Sequence, residues 1–234
     1  MVKTDVVEKL MHFNLTRQEA ITYTCLWENG KLTGYEASKL TGISRSNIYG
    51  ALNGLVEKGA AVIMESNTTL YSALSPEEFL NNKLHHLEKD KKFLVENMPQ
   101  KILKEEGYLT IRGFSNIKDK IQNMIEQCDM RLYLAASGNI IKEFEEVLLK
   151  AGEKGLKIVI MSELDYSHLA TKFYQDEPEK GQIRLITDST YVLTGELQGK
   201  NSDTCLYSGQ KILVTIMKEA LRNKIRLLEM EGNA

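Results

Sequence analysis

Across residues 15–71 the spacing of apolar positions changes in an order that predicts helix, turn, helix, turn, helix and then a short two-stranded ribbon. Thr16 with Glu19 three positions on forms a capping box, which supplies partners to amides that a helix N-terminus leaves orphaned, so the first of these helices starts there. Ala20, Ile21, Tyr23, Thr24 and Trp27 recur near helical spacing, and Asn29-Gly30 provides a left-handed stop. A short helix over 35–40 follows Thr33-Gly34, with Ala37 and Leu40 able to face inward. Thr41-Gly42-Ile43 makes a tight turn, and Ser44 caps a third helix that runs to about Lys58. Residues 60–65 and 69–73 alternate as strands about a turn at Ser66-Asn67-Thr68, which makes the hairpin a wing.

The third helix carries the chemistry. At about 100° per residue, Ile48, Ala51, Leu52 and Leu55 share one side, while Ser46, Gly50, Asn53 and Glu57 share the other. One side packs; the other is open, with Arg45, Asn47 and Tyr49 on its flanks. Small outward residues let a helix sink into a major groove, where Asn pairs bidentately with adenine and Arg with guanine. The predicted contact set for a double-stranded DNA operator is Ser44, Arg45, Ser46, Asn47, Tyr49 and Asn53, with Lys58 at the helix end and Asn67 and Thr68 at the wing tip. The alternative is a winged helix that holds proteins together.

After the wing, Ser75 is an N-cap, Pro76 takes the first helical position, and Glu77-Glu78 complement the helix dipole. Leu80, Leu84, Leu87, Lys91, Leu94 and Met98 then follow alternating four- and three-residue steps, the rhythm of a coiled coil with one polar interruption at Lys91. This predicts a homodimer through the 77–98 helix; the alternative is that the stripe lies against the chain's own C-terminal domain. Pro99 ends or kinks the helix, so 97–107 reads as a joint.

From Tyr108 the period shortens. YLTIRG, RLYLAASG, LKIVIMSE and QIRLITDS are strand-like, and a helical stretch follows each of the first three, which predicts an alternating α/β domain. Residues 116–127 and 140–150 are amphipathic crossovers, 191–194 and 204–206 are short further strands, and a last helix over 209–231, bearing Ile212, Ile216, Ala220, Ile225 and Leu228, closes the fold. The predicted division is 1–74 winged helix-turn-helix, 75–106 helical linker and dimerisation segment, and 107–234 α/β effector domain, a multidomain chain of α+β and α/β parts.

Composition narrows the function classes. With 234 residues, 42% of them hydrophobic, the chain can form about two cored domains, and its formal net charge is only −2. Residues 1–80 hold seven basic and nine acidic side chains, so no basic footprint marks the winged helix. Phosphate neutralisation supplies much of DNA affinity, so one copy should bind weakly and with a shallow salt slope. No run approaches the ~18 apolar residues of a membrane span, and MVKTDVVEKLMHF is too polar for a signal peptide, which predicts a cytoplasmic protein that does not enter a membrane. Cys25, Cys128 and Cys205 are scattered through periodic segments as packing thiols, and His12, His85, His86 and His168 match no zinc spacing, so no metal or cofactor is expected.

Both halves resemble one family, the TrmB-type transcriptional regulators, through LTRQEAITYTCLWENGKLTGYEASKLTGISRSNIYGALNGLVEKG and the α/β half that follows it. The resemblance implies an N-terminal winged helix that binds an operator, a coiled-coil helix, and a phospholipase-D-like C-terminal domain that receives a sugar or related small molecule. At 234 residues the sequence is short for the family, and a C-terminal extension like that of the archaeal sugar-binding members is not expected here, nor is their sugar specificity expected to carry over.

The phospholipase-D superfamily uses His-x-Lys-x4-Asp. Setting its Asp at Asp188 puts Gly181 where the nucleophilic His belongs and Ile183 where the phosphate-binding Lys belongs, so no phosphohistidine chemistry and no catalytic residue is expected. Turns at strand ends can still hold a ligand. Ser137 and Asn139 form one candidate effector group, Ser162 and Glu163 a second, and Asp188 with Glu196 a third, since such side chains suit sugar hydroxyls. The alternative for each, Asp188 above all, is an ordinary turn or cap residue.

Overall fold

A computed structural model describes residues 4–65, 68–99, 107–179 and 181–232. The chain divides into two compact units, residues 1–100 and 101–234.

The first unit has the predicted layout with one helix added in front. That helix, α1 (Thr4–His12), inserts Val7 and Leu10 into the core, a contribution hidden in the sequence because only two of its positions are buried. Next come α2 (Arg17–Asn29), α3 (Gly34–Thr41) and α4 (Arg45–Glu57), then the hairpin of β1 (Ala61–Glu65) and β2 (Thr69–Ala73), paired antiparallel. Leu32 bridges to Tyr71, giving the wing a third, single-residue edge. Of the predicted wing turn, Ser66 and Asn67 lie outside the described residues.

The capping box at Thr16 and Glu19 forms as expected, and Thr33 with Glu36 forms a second that starts α3. Two apolar positions stay open, one of them, Leu40, assigned inward from its spacing. Trp27 is 52% exposed because α2 is ringed by its neighbours and takes Leu26 into the core at 1%. Leu40 is 56% exposed, since α3 makes its contacts through the small residues Gly34 and Ala37. A Cβ on Gly34 would stand 2.4 Å from Tyr49 Cε1, so the Tyr49 ring lies over this glycine where α3 meets α4, and a larger residue there would push the ring aside.

The long helix α5 (Pro76–Asn97) starts at the Ser75 cap, whose hydroxyl accepts from the Glu78 amide. Phe79 anchors it to the first core, tilted against Tyr23 at 5.7 Å. Beyond that anchor its predicted stripe is open: Leu84, Leu87, Leu94 and Met98 are each about half exposed or more, and Lys91 is exposed with them. Residues 100–106 of the predicted joint lie outside the described residues.

The second unit is a seven-stranded sheet with helices on both faces. In chain order it comprises β3 (Tyr108–Arg112), α6 (Phe114–Glu126), β4 (Arg131–Ala136), α7 (Gly138–Lys142), α8 (Glu145–Glu153), β5 (Lys157–Ser162), β6 (Lys172–Gln175), β7 (Gln182–Thr187), β8 (Tyr191–Glu196), β9 (Thr204–Ser208) and α9 (Lys211–Glu231). The strand order is β3-β9-β8-β7-β4-β5-β6, parallel only across β4, β5 and β6. Alternating positions serve the two faces: Leu132 and Leu134 of β4, Ile158 and Ile160 of β5, and Ile183 and Leu185 of β7 pack under α6 and α8. On the other face Met161, Tyr174, Ile186 and Val192 meet α9.

Two expectations for this unit change and one is narrowed. The 140–150 crossover is two helices, broken at Phe144, which is buried at 3%. The short strand β6 was not foreseen; LKIVIM is joined to it through a single 3-10 turn, Ser167–Leu169, rather than a full helix. Finally, α9 packs through Val214, Met217, Leu221, Ile225 and Leu228, which leaves Ile212 65% and Ile216 55% exposed and Ala220 on the outer side. Apolar residues occupy two faces of this helix, and periodicity alone does not say which face the sheet takes.

Candidate nucleic-acid interface and effector cleft

The inward side of α4 is fully committed. Ile48, Leu52 and Leu55 are 0% exposed and Ala51 is 5% exposed, which fixes the helix about its axis. That fixes the outward side too: Ser44, Arg45, Ser46, Asn47, Tyr49, Gly50 and Asn53 are all exposed. A Cβ on Gly50 would meet nothing within 4 Å, so this surface is shallow enough for the helix to enter a groove. Arg45 lies with its guanidinium 4.8 Å above the Tyr35 ring, a cation–π contact that steadies the side chain without using its N–H donors. Ser44 occupies the N-cap position, but its hydroxyl faces Ser46 Oγ at 3.4 Å rather than an α4 amide. Thr68 is exposed beside the wing turn, and Asn67 lies outside the described residues.

Lys58 is a correction. Its Nζ lies 2.6 Å from Glu19 Oε2 and the side chain is only 26% exposed. Burial pushes the Glu19 carboxyl up, but Lys58 and the Thr16 cap outweigh it and hold the group below the usual carboxylate range. Glu19 thereby joins the start of α2 to the end of α4, and a Cβ on Gly54 would stand 2.2 Å from Glu19 Oε1. Lys58 is therefore a brace between two helices; its positive charge looked like a phosphate contact only because its partner lies 39 residues away.

In the second unit the candidate effector residues separate. Ser137, half-buried, and Asn139, exposed, line a cleft of about 710 Å³ with Phe114 and Lys118 of α6, Glu143, Phe144, Gly181, and the 197–200 turn after β8. Lys118 pairs with Glu143. The turn is built stiffly, because Asp203 Oδ2 accepts from the amides of Gln198, Gly199 and Lys200 at 2.9–3.0 Å. Glu196 is exposed nearby, with Gln198 Nε2 3.5 Å from its carboxylate. Lys118, Glu143, Gln198 and Lys200 were not foreseen, since their charges read as ordinary helix faces and turn residues.

The remaining candidates serve the fold. Ser162 is 0% exposed. Glu163 accepts from the Gly138 amide at 2.9 Å, and Tyr166 donates to the Gly138 carbonyl at 2.8 Å, so this turn fastens the end of β5 to the start of α7.

Asp188 is at the opposite end of the β7–β8 hairpin from Glu196. β7 and β8 run antiparallel with Gln182 against Glu196 and Thr187 against Tyr191, so the two cannot share a site. The Asp188 carboxylate instead accepts from the amides of Asp129, Met130 and Arg131 at 2.8–2.9 Å and from the Cys128 thiol at 3.3 Å. Burial raises its pKa, but the three amide donors outweigh that and leave it lowered. The Cys128 thiol, by burial and then by this carboxylate, is pushed up to about 11 and stays protonated. Ile183 points into the core at 0% exposure, and Gly181 lines the cleft. Among the described residues no group of three or more His, Cys, Asp or Glu could hold a metal ion, and no helix is long and apolar enough to cross a membrane.

A winged helix with an uncovered polar face, followed by an α/β unit with a cleft of mixed polar and apolar lining, is the layout of a DNA-binding regulator with an appended receptor-like domain. Two family models match: "Sugar-specific transcriptional regulator TrmB" over residues 10–77 and "Transcriptional regulator TrmB, EBD N-terminal subdomain" over residues 108–213. The chain belongs to the TrmB family of DNA-binding transcriptional regulators. Among its relatives, the uncharacterized protein YrhO of Bacillus subtilis is 25% identical over 241 residues, covering 98% of this chain and 87% of that protein. The DNA-binding transcriptional repressor TrmBL2 of Thermococcus kodakarensis is 28% identical over 204 residues, covering 79% and 77%. A solved structure of TrmBL2, described as an archaeal chromatin protein, aligns over 97% of this chain and 99% of that one at 23% identity and a TM-score of 0.45.

Proposed function

We propose that two copies of this chain read a pseudo-palindromic operator with paired α4 helices, and that a small polar metabolite bound in the C-terminal cleft changes the spacing of the pair. The observation that carries the reading is the division of α4: an aliphatic side that is fully buried and an opposite side of Ser46, Asn47, Gly50 and Asn53 that is exposed. Arg45 and Asn53 read base edges, Asn47 and Tyr49 contact the flanks, and the wing approaches the backbone through Thr68. The domain boundaries are 1–74 for DNA reading, 75–106 for coupling and dimerisation through α5, and 107–234 for a phospholipase-D-like effector domain. A ligand shifts DNA affinity only by binding two dimer geometries unequally, so α5 is the element whose placement the effector biases.

The cleft at Ser137 and Asn139 takes a polyhydroxy ligand of the sugar class. Phe114 and Phe144 offer apolar walls to a sugar ring, and Lys118, Asn139 and Gln198 offer donors and acceptors to its hydroxyls. The protein is cytoplasmic and not a phosphodiesterase, because Gly181 and Ile183 stand where that chemistry needs His and Lys.

The test is footprinting on a duplex selected from a random pool. Arg45→Ala with Asn53→Ala removes four base contacts from the dimer and is expected to lower affinity for the selected site by about a thousandfold or more, at about 1–3 kcal/mol per lost base contact, with unchanged thermal unfolding. Wild-type protection by the double variant refutes the assignment. The mild acidity of residues 1–80 favours a second reading, in which the winged helix contacts protein; salt-dependent retention on random-sequence DNA supports the first and its absence supports the second.

A further inference from the structure

We propose that the exposed stripe of α5 pairs antiparallel with the exposed stripe of α9 from a second copy of the chain. This rests on the homodimer reading above and assigns what lies across its seam.

On α5 the stripe is Leu84, Leu87, Lys91, Leu94 and Met98, in steps of three, four, three and four. On α9 the side turned away from the sheet carries Ile216, Ala220, Asn223, Leu227 and Met230, in steps of four, three, four and three. Both cover the same length, about 21 Å at 1.5 Å per residue. Read in opposite directions the two series coincide: Leu84 meets Met230, Leu87 meets Leu227, Lys91 meets Asn223, Leu94 meets Ala220 and Met98 meets Ile216. The one polar position in each stripe falls opposite the other, and the Asn223 side-chain carbonyl can accept from the Lys91 ammonium.

The flanking charges select this pairing over α5 against α5. Between Leu87 and Lys91, the α5 flanks are Glu88 and Asp90; between Asn223 and Leu227, the α9 flanks are Lys224 and Arg226. The antiparallel register sets Glu88 beside Lys224 and Asp90 beside Arg226. Lys224 already meets Asp176 at 2.9 Å within its own unit, so Asp90 with Arg226 is the pair that discriminates. A parallel α5 pair would put Lys91 against Lys91, and the antiparallel α5 pair that keeps Leu84 on Leu94 would put Asp90 against Asp90 and Glu88 against Glu88. Both bury or crowd like charges. Two symmetry-related α5–α9 contacts then close the dimer and tie each recognition helix to the effector unit of the partner.

The experiment co-expresses two differently tagged full-length chains, one with Leu87→Cys and one with Leu227→Cys, and oxidises them with diamide. The native cysteines are buried and do not compete. A covalent dimer of one tag with the other, with none from either variant expressed alone, is the expected result. A disulfide from Leu87→Cys alone overturns this pairing in favour of an α5–α5 seam and leaves the homodimer reading standing. An internal disulfide when both cysteines are on one chain, with none between chains, overturns it in favour of α9 of the same chain. Sedimentation of the wild type as a monomer at every concentration takes down the homodimer reading itself. As a second arm, Asp90→Arg is expected to weaken the dimer about tenfold, and adding Arg226→Asp restores it; failure of that rescue in a dimeric protein also overturns the pairing.

Discussion

The exposed side of α4 and the strand-end turns of the second unit are both rich in short polar side chains, yet their fates differ. Beyond its first turn α4 satisfies its own backbone hydrogen bonds, and its open N-terminal amides face outward with the side chains of Ser46, Asn47 and Asn53, none of which is drawn into holding the fold. At strand ends the ladder stops and leaves amides without partners, and the nearest carboxylates are drawn into filling them. Asp188 takes three such amides and Glu163 takes one. A polar residue at a strand end is therefore weaker evidence of a binding site than the same residue on an open helix face. In the C-terminal unit, Ser137 and Asn139 keep their place at a cleft with side chains uncommitted, whereas Asp188, although it borders a second cleft of about 500 Å³ beside Tyr191, has its carboxylate taken up by backbone amides, and Ser162 is buried.

The contrast can be broken most directly at Asp188. Replacing it with Ala leaves the amides of residues 129–131 without their acceptor and puts Ala at φ 49°, so urea unfolding should show a loss of about 2–3 kcal/mol. The loss should depend on pH in one direction. The folded-state pKa of Asp188 is depressed, so its stabilising contribution is complete above the unfolded carboxylate value of about 3.9 and fades as pH falls through the folded value. Wild type and variant should therefore converge in acid, and a gap that stays constant down to acid unfolding would show that the carboxylate charge is not what matters.

Next in size is a pair of glycines on α4. Gly54→Ala must displace the Glu19 carboxylate from Lys58 and from the Thr16 cap, which should lower the unfolding free energy by about 1–3 kcal/mol in thermal melts. Gly50→Ala meets open space, so helix propensity should raise stability by up to about 1 kcal/mol, while the added methyl lifts α4 from the groove and weakens DNA binding in a mobility-shift titration. The smallest effect is expected at the cleft. Ser137→Ala with Asn139→Ala should change stability by less than about 0.5 kcal/mol and remove the response of DNA binding to the effector; a larger loss of stability would place these two with Asp188 as structural residues.

Much of the first unit was legible because its signals are local. A capping box, a glycine stop and a 3.6-residue apolar period each lie within a few positions, and they gave α2, α4 and the wing nearly to the residue. What escaped depended on distant partners: Val7 and Leu10 of α1 are buried only because a core waits for them, and Lys58 is braced only because Gly54 leaves room for Glu19. In the second unit the same rule holds more strongly. Strand propensity located β3, β4, β5, β7, β8 and β9, but it does not state that β7 and β8 pair so as to put Asp188 and Glu196 at opposite ends of the hairpin, or that α9 turns Val214 rather than Ile212 toward the sheet.

The sequence by itself determined the recognition helix, because the positions that must be buried and those that must face outward are both written into one 13-residue segment. Only the tertiary structure decided which polar residues of the α/β unit are left for a ligand. That depends on which amides the sheet leaves unpaired, and strand order, which sets those amides, is a property of long-range pairing rather than of any short stretch of chain.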